Sequence, residues 1–84
     1  MAKKNMEEYQ KILSILDTPE YKDKDGFVTL TDIESIFVAL SDKVRSETIR
    51  QHINQMCNLR LLTKRGELSY RINDNWQSVI KKFI

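Results

Sequence analysis

The sequence has few of the residues that cross-link a chain or build a catalytic centre. Among its 84 residues are one cysteine, one histidine, one proline and two glycines. A lone cysteine excludes an internal disulfide, and we expect Cys57 in the core. His52 has no second ligand at metal-binding spacing, so we interpret it as a packed or solvated side chain. The sequence offers no set of nucleophile, base and acid and no glycine-rich phosphate loop, and we expect neither enzymatic activity nor a cofactor.

Long apolar runs are also missing. The runs that exist are too short to cross a bilayer, and the basic start at Met1 is not followed by the apolar stretch of a signal peptide. No repeat, low-complexity segment or linker divides the chain, and 40% of its residues are hydrophobic and 31% charged. This composition is typical of soluble globular domains. We therefore expect one cytoplasmic domain over residues 1–84, with no membrane partner.

Positive charge is the minority in the first half of the chain, and negative charge is scarce in the second half. Residues 1–42 contain five lysines and nine acidic residues, a net charge of −4. Residues 43–84 contain nine lysines and arginines and three acidic residues, a net charge of +6. Such an asymmetry suggests that the second half faces a polyanion.

The stretch YKDKDGFVTLTDIE, residues 21–34, approaches a calcium-binding loop. Placing its glycine at the sixth loop position puts Asp23 and Asp25 at the third and fifth positions, as calcium requires. The same alignment puts Tyr21 at the first position and Asp32 at the twelfth, where a carboxylate and a bidentate glutamate belong. We therefore interpret the stretch as an acidic turn followed by a short strand.

Apolar spacing predicts four helices. The expected N-terminal caps of the four helices are Asn5, Thr31, Ser46 and Asp74. Glu8 and Glu34 stand three residues after the first two caps, as in a capping box. The apolar positions that repeat with helical spacing, and that we expect to face a core, are Tyr9, Ile12, Leu13, Leu16, Ile33, Ile36, Phe37, Leu40, Ile49, Ile53, Met56, Cys57, Trp76, Val79, Ile80 and Phe83.

Three short strands are predicted between these helices. Residues 27–30 are aromatic and β-branched, which suits a strand directly before the second helix. After the third helix the apolar period changes to two, which predicts a hairpin of residues 61–64 and 68–72. Leu68, Tyr70 and Ile72 are expected to point inward from this hairpin.

This order of elements resembles the winged helix-turn-helix family over about residues 5–72. The most specific part is RSETIRQHINQMCNLRLLTKRGELSYRI, residues 45–72, and GFVTLTDIE is similar to the family's first strand and second helix. The resemblance implies an α+β fold, a three-helix bundle with a short β-hairpin wing, here followed by a further C-terminal helix at about residues 74–84. The family often has glycine after the third helix. Arg60 stands at that place, and Asn58 is the expected left-handed residue instead.

The resemblance also implies a site, because the family's third helix commonly enters the DNA major groove. Amides can bond adenine, arginine can bond guanine, and a threonine methyl can contact thymine. The residues that would read or approach DNA are Glu47, Thr48, Gln51, Asn54, Gln55 and Asn58 on the helix face, Arg45 and Arg50 at its edge, Lys43 near the backbone, and Lys64 and Arg65 at the wing tip.

Three functions follow from this resemblance. The favoured one is a small transcriptional regulator that binds double-stranded DNA, with the last helix packing on its own domain or pairing two subunits as a homodimer. The alternative is a single-stranded DNA-binding accessory protein of replication or a mobile element. Single-strand binding needs aromatics on a basic groove, and the pattern buries all three aromatics of the basic half, Tyr70, Trp76 and Phe83. A further alternative is a protein-interaction adaptor that uses the acidic half.

Overall fold

The fold is α+β, as predicted. The structure, a computed structural model, describes residues 3–40 and 45–83, with side chains from residue 6 onward. In chain order the elements are α1 (Lys3–Leu16), β1 (Phe27–Thr29), α2 (Leu30–Leu40), α3 (Ser46–Asn58), β2 (Leu62–Lys64), β3 (Ser69–Ile72) and α4 (Trp76–Lys81). None of the described helices is long and apolar enough to span a membrane.

The three strands form one antiparallel sheet in the order β1-β3-β2. Tyr70 in the central strand pairs with Val28 of β1 on one side and with Lys64 of β2 on the other. The predicted first strand is one residue shorter than expected, because Leu30 already belongs to α2. The Leu30 amide donates to the Leu68 carbonyl at 2.9 Å, which ties the start of α2 to the hairpin.

One apolar core joins the helices to the sheet. The predicted inward positions that are buried are Tyr9, Ile12, Leu13, Leu16, Ile33, Ile36, Phe37, Ile49, Ile53, Met56, Tyr70, Ile72, Trp76 and Ile80. Cys57 and Val79 are half-buried against this core. The prediction is wrong for Leu40, Leu68 and Phe83, which are 44%, 65% and 44% exposed.

These three errors share a physical reason: each residue stands at or just beyond the end of its element. Leu40 is the last residue of α2, and Phe83 follows the end of α4. Leu68 precedes Ser69, the first residue of β3, so the alternation of a strand does not apply to it. A periodic pattern predicts orientation only within a regular element.

Several predicted caps are displaced. The helix α1 begins at Lys3, two residues before Asn5. The helix α2 is capped by Thr29, whose hydroxyl oxygen accepts the Asp32 amide at 3.1 Å, and not by Thr31. The reason is that β1 runs directly into α2, so Thr31 already lies within the helix.

The other two caps are also wrong as predicted. Ser46 is the first residue of α3, and the capping residue is Arg45, which makes no side-chain cap bond. The helix α4 is preceded by Asn75 and not by Asp74. The Asp74 carboxylate instead lies 3.7 Å from the Arg71 guanidinium. The Trp76 amide is satisfied by the Asn73 carbonyl at 3.1 Å.

The left-handed residue after α3 is Arg60, with φ 67°, and not Asn58, which remains helical. The Arg60 amide donates to the Cys57 carbonyl at 3.0 Å and the Leu61 amide to the Met56 carbonyl at 2.9 Å. These two bonds define a Schellman motif, in which the chain reverses out of the helix. The side-chain Nδ2 of Asn73 donates to the Arg60 carbonyl at 2.6 Å and so stabilises this reversal of the chain.

The acidic turn is organised by its own side chains. One carboxylate oxygen of Asp23 accepts the amides of Asp25 and Phe27, at 2.8 and 2.9 Å. Gly26 has φ 89°, a conformation that favours glycine. Asp23 therefore acts as the internal acceptor that shapes the entry to β1.

The end of α1 is tied to α4 through Asp17. Its carboxylate bonds Lys22 and accepts the Trp76 indole N–H at 3.1 Å. The hydrogen bond from Lys22 lowers the pKa of Asp17, and burial opposes this only in part. The fourth helix is thus attached to its own domain through a buried tryptophan and a charged partner.

Candidate nucleic-acid interface

The helix α3 divides the predicted site from the core. Ile49, Ile53 and Met56 face inward and are buried. Since these positions recur every three to four residues, the polar residues between them face solvent. The predicted DNA-contacting residues that are exposed on and around α3 are Arg45, Glu47, Arg50, Gln51, Asn54 and Asn58, and Thr48 is half-exposed. Lys43 lies outside the residues that the structure describes.

One polar flank of α3 is bonded to α1. The buried Tyr9 hydroxyl donates to Oε1 of Gln55 at 2.8 Å and lies 2.6 Å from Nδ1 of His52. A phenol has one proton to donate, so His52 Nδ1 carries a hydrogen and donates it to the Tyr9 oxygen. Burial, reinforced by the nearby Glu8 carboxylate, raises the pKa of Tyr9 to about 12. The phenol therefore stays protonated at neutral pH.

This tied flank holds one residue of the predicted reading face, Gln55, in a hydrogen bond within the fold. The side-chain carbonyl of Gln55 accepts the Tyr9 proton, so a bond within the fold fixes the orientation of this amide. The His52 ring stacks on the Phe37 ring and makes a T-shaped contact with the Tyr9 ring. The ring centroids are 5.5 Å apart in each pair. His52 is thus a packed residue, one of the two outcomes expected for it.

The other flank of α3 opens onto the hairpin. Arg50 and Asn54 stand one turn apart on α3 and line a cleft of about 310 Å³ with Lys64 of β2. Ile53 and Tyr70 form part of the wall of this cleft. Lys64 reaches it because it pairs directly with Tyr70 across the β2–β3 ladder, and directly paired side chains share a face.

The cations of this cleft form no ion pair with a described residue, although Glu67 also lines the cleft. Arg50 and Lys64 form no hydrogen bond or salt bridge with any residue that the structure describes. Burial raises the pKa of Tyr70, and the positive charge of Arg50 opposes that shift. Burial likewise raises the pKa of Cys57, and Lys64 opposes it. The charge of Arg50 therefore acts on Tyr70 in the wall of the cleft.

The hairpin turn adds a further exposed cation and part of the cleft lining. Arg65 is exposed in the turn after β2, beside Lys64. Leu68 and Leu30 line the apolar side of the cleft, and the sequence pattern missed Leu68 because it assigned that residue to the core. In the sequence, only the position of Leu68 directly after the turn residues Gly66 and Glu67 indicates that it is exposed.

The described surface shows no cluster of acidic, histidine and cysteine side chains that would indicate a metal site. Over residues 3–40 and 45–83, no group of three or more such side chains is placed to hold a metal ion. Comparison with family models, curated proteins and solved structures finds no match to this chain. The α3–hairpin surface is thus the site whose geometry and charge carry a functional argument.

Proposed function

We propose that this chain is a winged helix-turn-helix protein that binds double-stranded DNA through α3 and the β2–β3 hairpin, as a small transcriptional regulator. The observation that carries the proposal is the cleft in which Arg50 and Asn54 of α3 meet Lys64 of the hairpin. A helix with exposed amides beside a basic hairpin combines groups that read base edges with groups that bind phosphate.

The geometry favours duplex over single-stranded DNA. Non-specific single-strand binding relies on aromatic side chains that stack on bases. Tyr70 is 6% exposed and Trp76 is 4% exposed, so neither offers a ring face beside the cleft, and Phe83, which is 44% exposed, does not line the cleft. The exposed side chains of α3 are amides and charged groups, which are the groups that read base edges.

The proposal predicts that charge on the hairpin, and not net charge alone, controls binding. The variant Lys64→Gln/Arg65→Gln removes two positive charges at the proposed interface. Its matched control, Lys81→Gln/Lys82→Gln, removes two exposed positive charges at the end of α4, which packs against α1. A mobility-shift series on duplex and single-stranded DNA, measured from low to physiological salt, compares the two.

We expect the hairpin variant to weaken duplex binding by about tenfold or more. The slope of log affinity against log salt is expected to fall by the amount for about one to two phosphate contacts. The control is expected to bind like the wild type. No binding of the wild type to duplex DNA at low salt contradicts the proposal, and preference for single strands contradicts the regulator. Equal losses in the two variants mean that only net charge matters.

A further inference from the structure

Leu68 is a largely exposed leucine that lies beside two unneutralised cations. We propose that the cleft seats one strand of DNA backbone, with a single phosphate shared by Arg50 and Lys64 and the adjoining deoxyribose packed on Leu68. This inference rests on the proposed function and names which part of the nucleic acid the cleft takes.

The two cations of the cleft belong to different elements. Arg50 comes from α3 and Lys64 from β2, and Tyr70, which pairs with Lys64, forms part of the wall. Glu67 also lines the cleft but forms no salt bridge with either cation. Neither cation is therefore held in an ion pair by a described carboxylate, and both are available for charge-assisted bonds to a phosphate.

The apolar side of the cleft suits a sugar. The Leu30 amide bonds the Leu68 carbonyl at 2.9 Å, so the turn is held against the start of α2 and the leucine has a defined place. Deoxyribose presents carbon at its 2′ position, whereas ribose presents a hydroxyl there. A hydroxyl pressed against a leucine loses its hydrogen bond to water without gaining another. The wall thus favours DNA over RNA.

The dimensions of the cleft agree with this assignment. Its volume of about 310 Å³ is at the lower end of the range of small-molecule sites. One phosphate with its sugar fits such a space better than a whole base pair does. The base edges are then left to Gln51 and Asn54 on the exposed flank of α3.

Salt dependence tests whether the phosphate is shared. The variants Arg50→Gln, Lys64→Gln and their double are compared with Lys81→Gln/Lys82→Gln on one DNA duplex. Each phosphate contact contributes about 0.9 to the slope of log affinity against log salt. We expect the double variant to lose about 0.9, the value for one phosphate. A loss of about 1.8, for two separate phosphates, overturns the shared contact.

Leu68 is tested by its preference between sugars. The variants Leu68→Asn and Leu68→Met are titrated with duplex DNA and duplex RNA of the same sequence. We expect Leu68→Asn to weaken DNA binding by about five- to tenfold, in line with loss of apolar contact, while RNA binding changes little. Leu68→Met is expected to keep the wild-type preference. An unchanged ratio of DNA to RNA affinity in Leu68→Asn overturns the sugar contact.

The two experiments separate the inference from the proposed function. If the wild type binds no duplex DNA, the proposed function fails and this inference fails with it. If duplex DNA binds with an unchanged slope in the double variant and an unchanged sugar preference in Leu68→Asn, the proposed function stands and the inference alone is overturned. Because Arg50, Lys64 and Leu68 are exposed, the fold is expected to survive each substitution, which thermal unfolding checks.

Discussion

The two polar flanks of α3 have similar chemistry and opposite surroundings. On one flank, His52 and Gln55 are bonded to Tyr9 of α1. On the other, Arg50 and Asn54 border an open cleft beside the hairpin. Polar groups bonded within the fold stabilise it, and polar groups left facing solvent are available to a partner. The comparison separates residues that hold the helix in place from residues that contact the proposed ligand.

The largest effect is expected on the open flank. We expect Gln51→Ala/Asn54→Ala to weaken binding to the duplex that the wild type selects from a random library, by about 2 to 6 kcal/mol. The estimate assumes one bidentate base contact for each amide, worth about 1 to 3 kcal/mol. Thermal unfolding is expected to be unchanged, since both side chains are exposed.

The matched control for this variant removes two amides elsewhere. Gln10→Ala/Gln77→Ala alters exposed residues of α1 and α4 and is expected to leave binding unchanged. Fluorescence anisotropy on the selected duplex measures both variants. Equal affinities for the two double variants would show that α3 does not read the bases.

The next largest effect is expected on the tied flank. Tyr9→Phe removes the hydroxyl that bonds Gln55 and His52, and we expect the free energy of unfolding to fall by about 1 to 3 kcal/mol. The affinity of the folded fraction for DNA is expected to stay within about twofold, because Gln55 does not read DNA on this account. Urea unfolding and anisotropy at low temperature measure the two quantities.

A second tyrosine supplies the control for Tyr9→Phe. The Tyr70 hydroxyl bonds no residue that the structure describes, so Tyr70→Phe is expected to change stability by less than about 0.5 kcal/mol. Similar losses in both variants would contradict a special role for the Tyr9 network. A large loss of DNA affinity in Tyr9→Phe would place Gln55 back on the reading face.

A smaller effect is expected at the end of α3, where both flanks stop. Arg60 holds a left-handed conformation that costs a residue with a side chain about 1 to 2 kcal/mol. Arg60→Gly removes that cost. The greater conformational freedom of glycine in the unfolded chain offsets about 0.5 to 1 kcal/mol of this gain. We therefore expect a net stabilisation of up to about 1.5 kcal/mol, measured by urea unfolding. A destabilised variant would contradict the strained geometry.

The smallest effect is expected at Asp17, and it depends on pH. The pKa of this carboxyl is lowered in the fold, so its stabilisation is fully present above the ordinary aspartate pKa, near pH 4. It is lost as pH falls through the lowered value. Asp17→Asn is expected to be less stable than the wild type at neutral pH, with a difference that shrinks below about pH 4. A constant difference in Tm across this range would contradict the ion pair.

Part of this comparison could be predicted from the sequence. The inward stripe of α3, with Ile49, Ile53 and Met56, follows from helical spacing and is confirmed. The same spacing predicts which polar residues face outward, and it places Asn54 and Gln51 correctly on the exposed side. Local patterns suffice here because the helix is regular throughout.

The rest depends on contacts between distant residues. Tyr9 and Gln55 stand 46 positions apart, and no local pattern shows that an outward-facing amide is bonded to a buried phenol. Arg60 is left-handed because the chain must turn from α3 into β2. The side-chain amide of Asn73, 13 residues away, donates a hydrogen bond to the Arg60 carbonyl. Propensity favours Asn58 for that conformation, and the tertiary contact outweighs it. The exposure of Leu68 likewise depends on where β3 begins.

An amide chemical-shift footprint of a DNA duplex on the isotopically labelled protein tests the central claim most directly. We expect the shifts on titration to concentrate on the open flank of α3 and on the hairpin, at Gln51, Asn54, Lys64 and Arg65. The acidic turn at residues 17–26 and the outer face of α1 should stay unchanged. A footprint centred on α1 or the acidic turn, or no shift at saturating DNA and low salt, would contradict it.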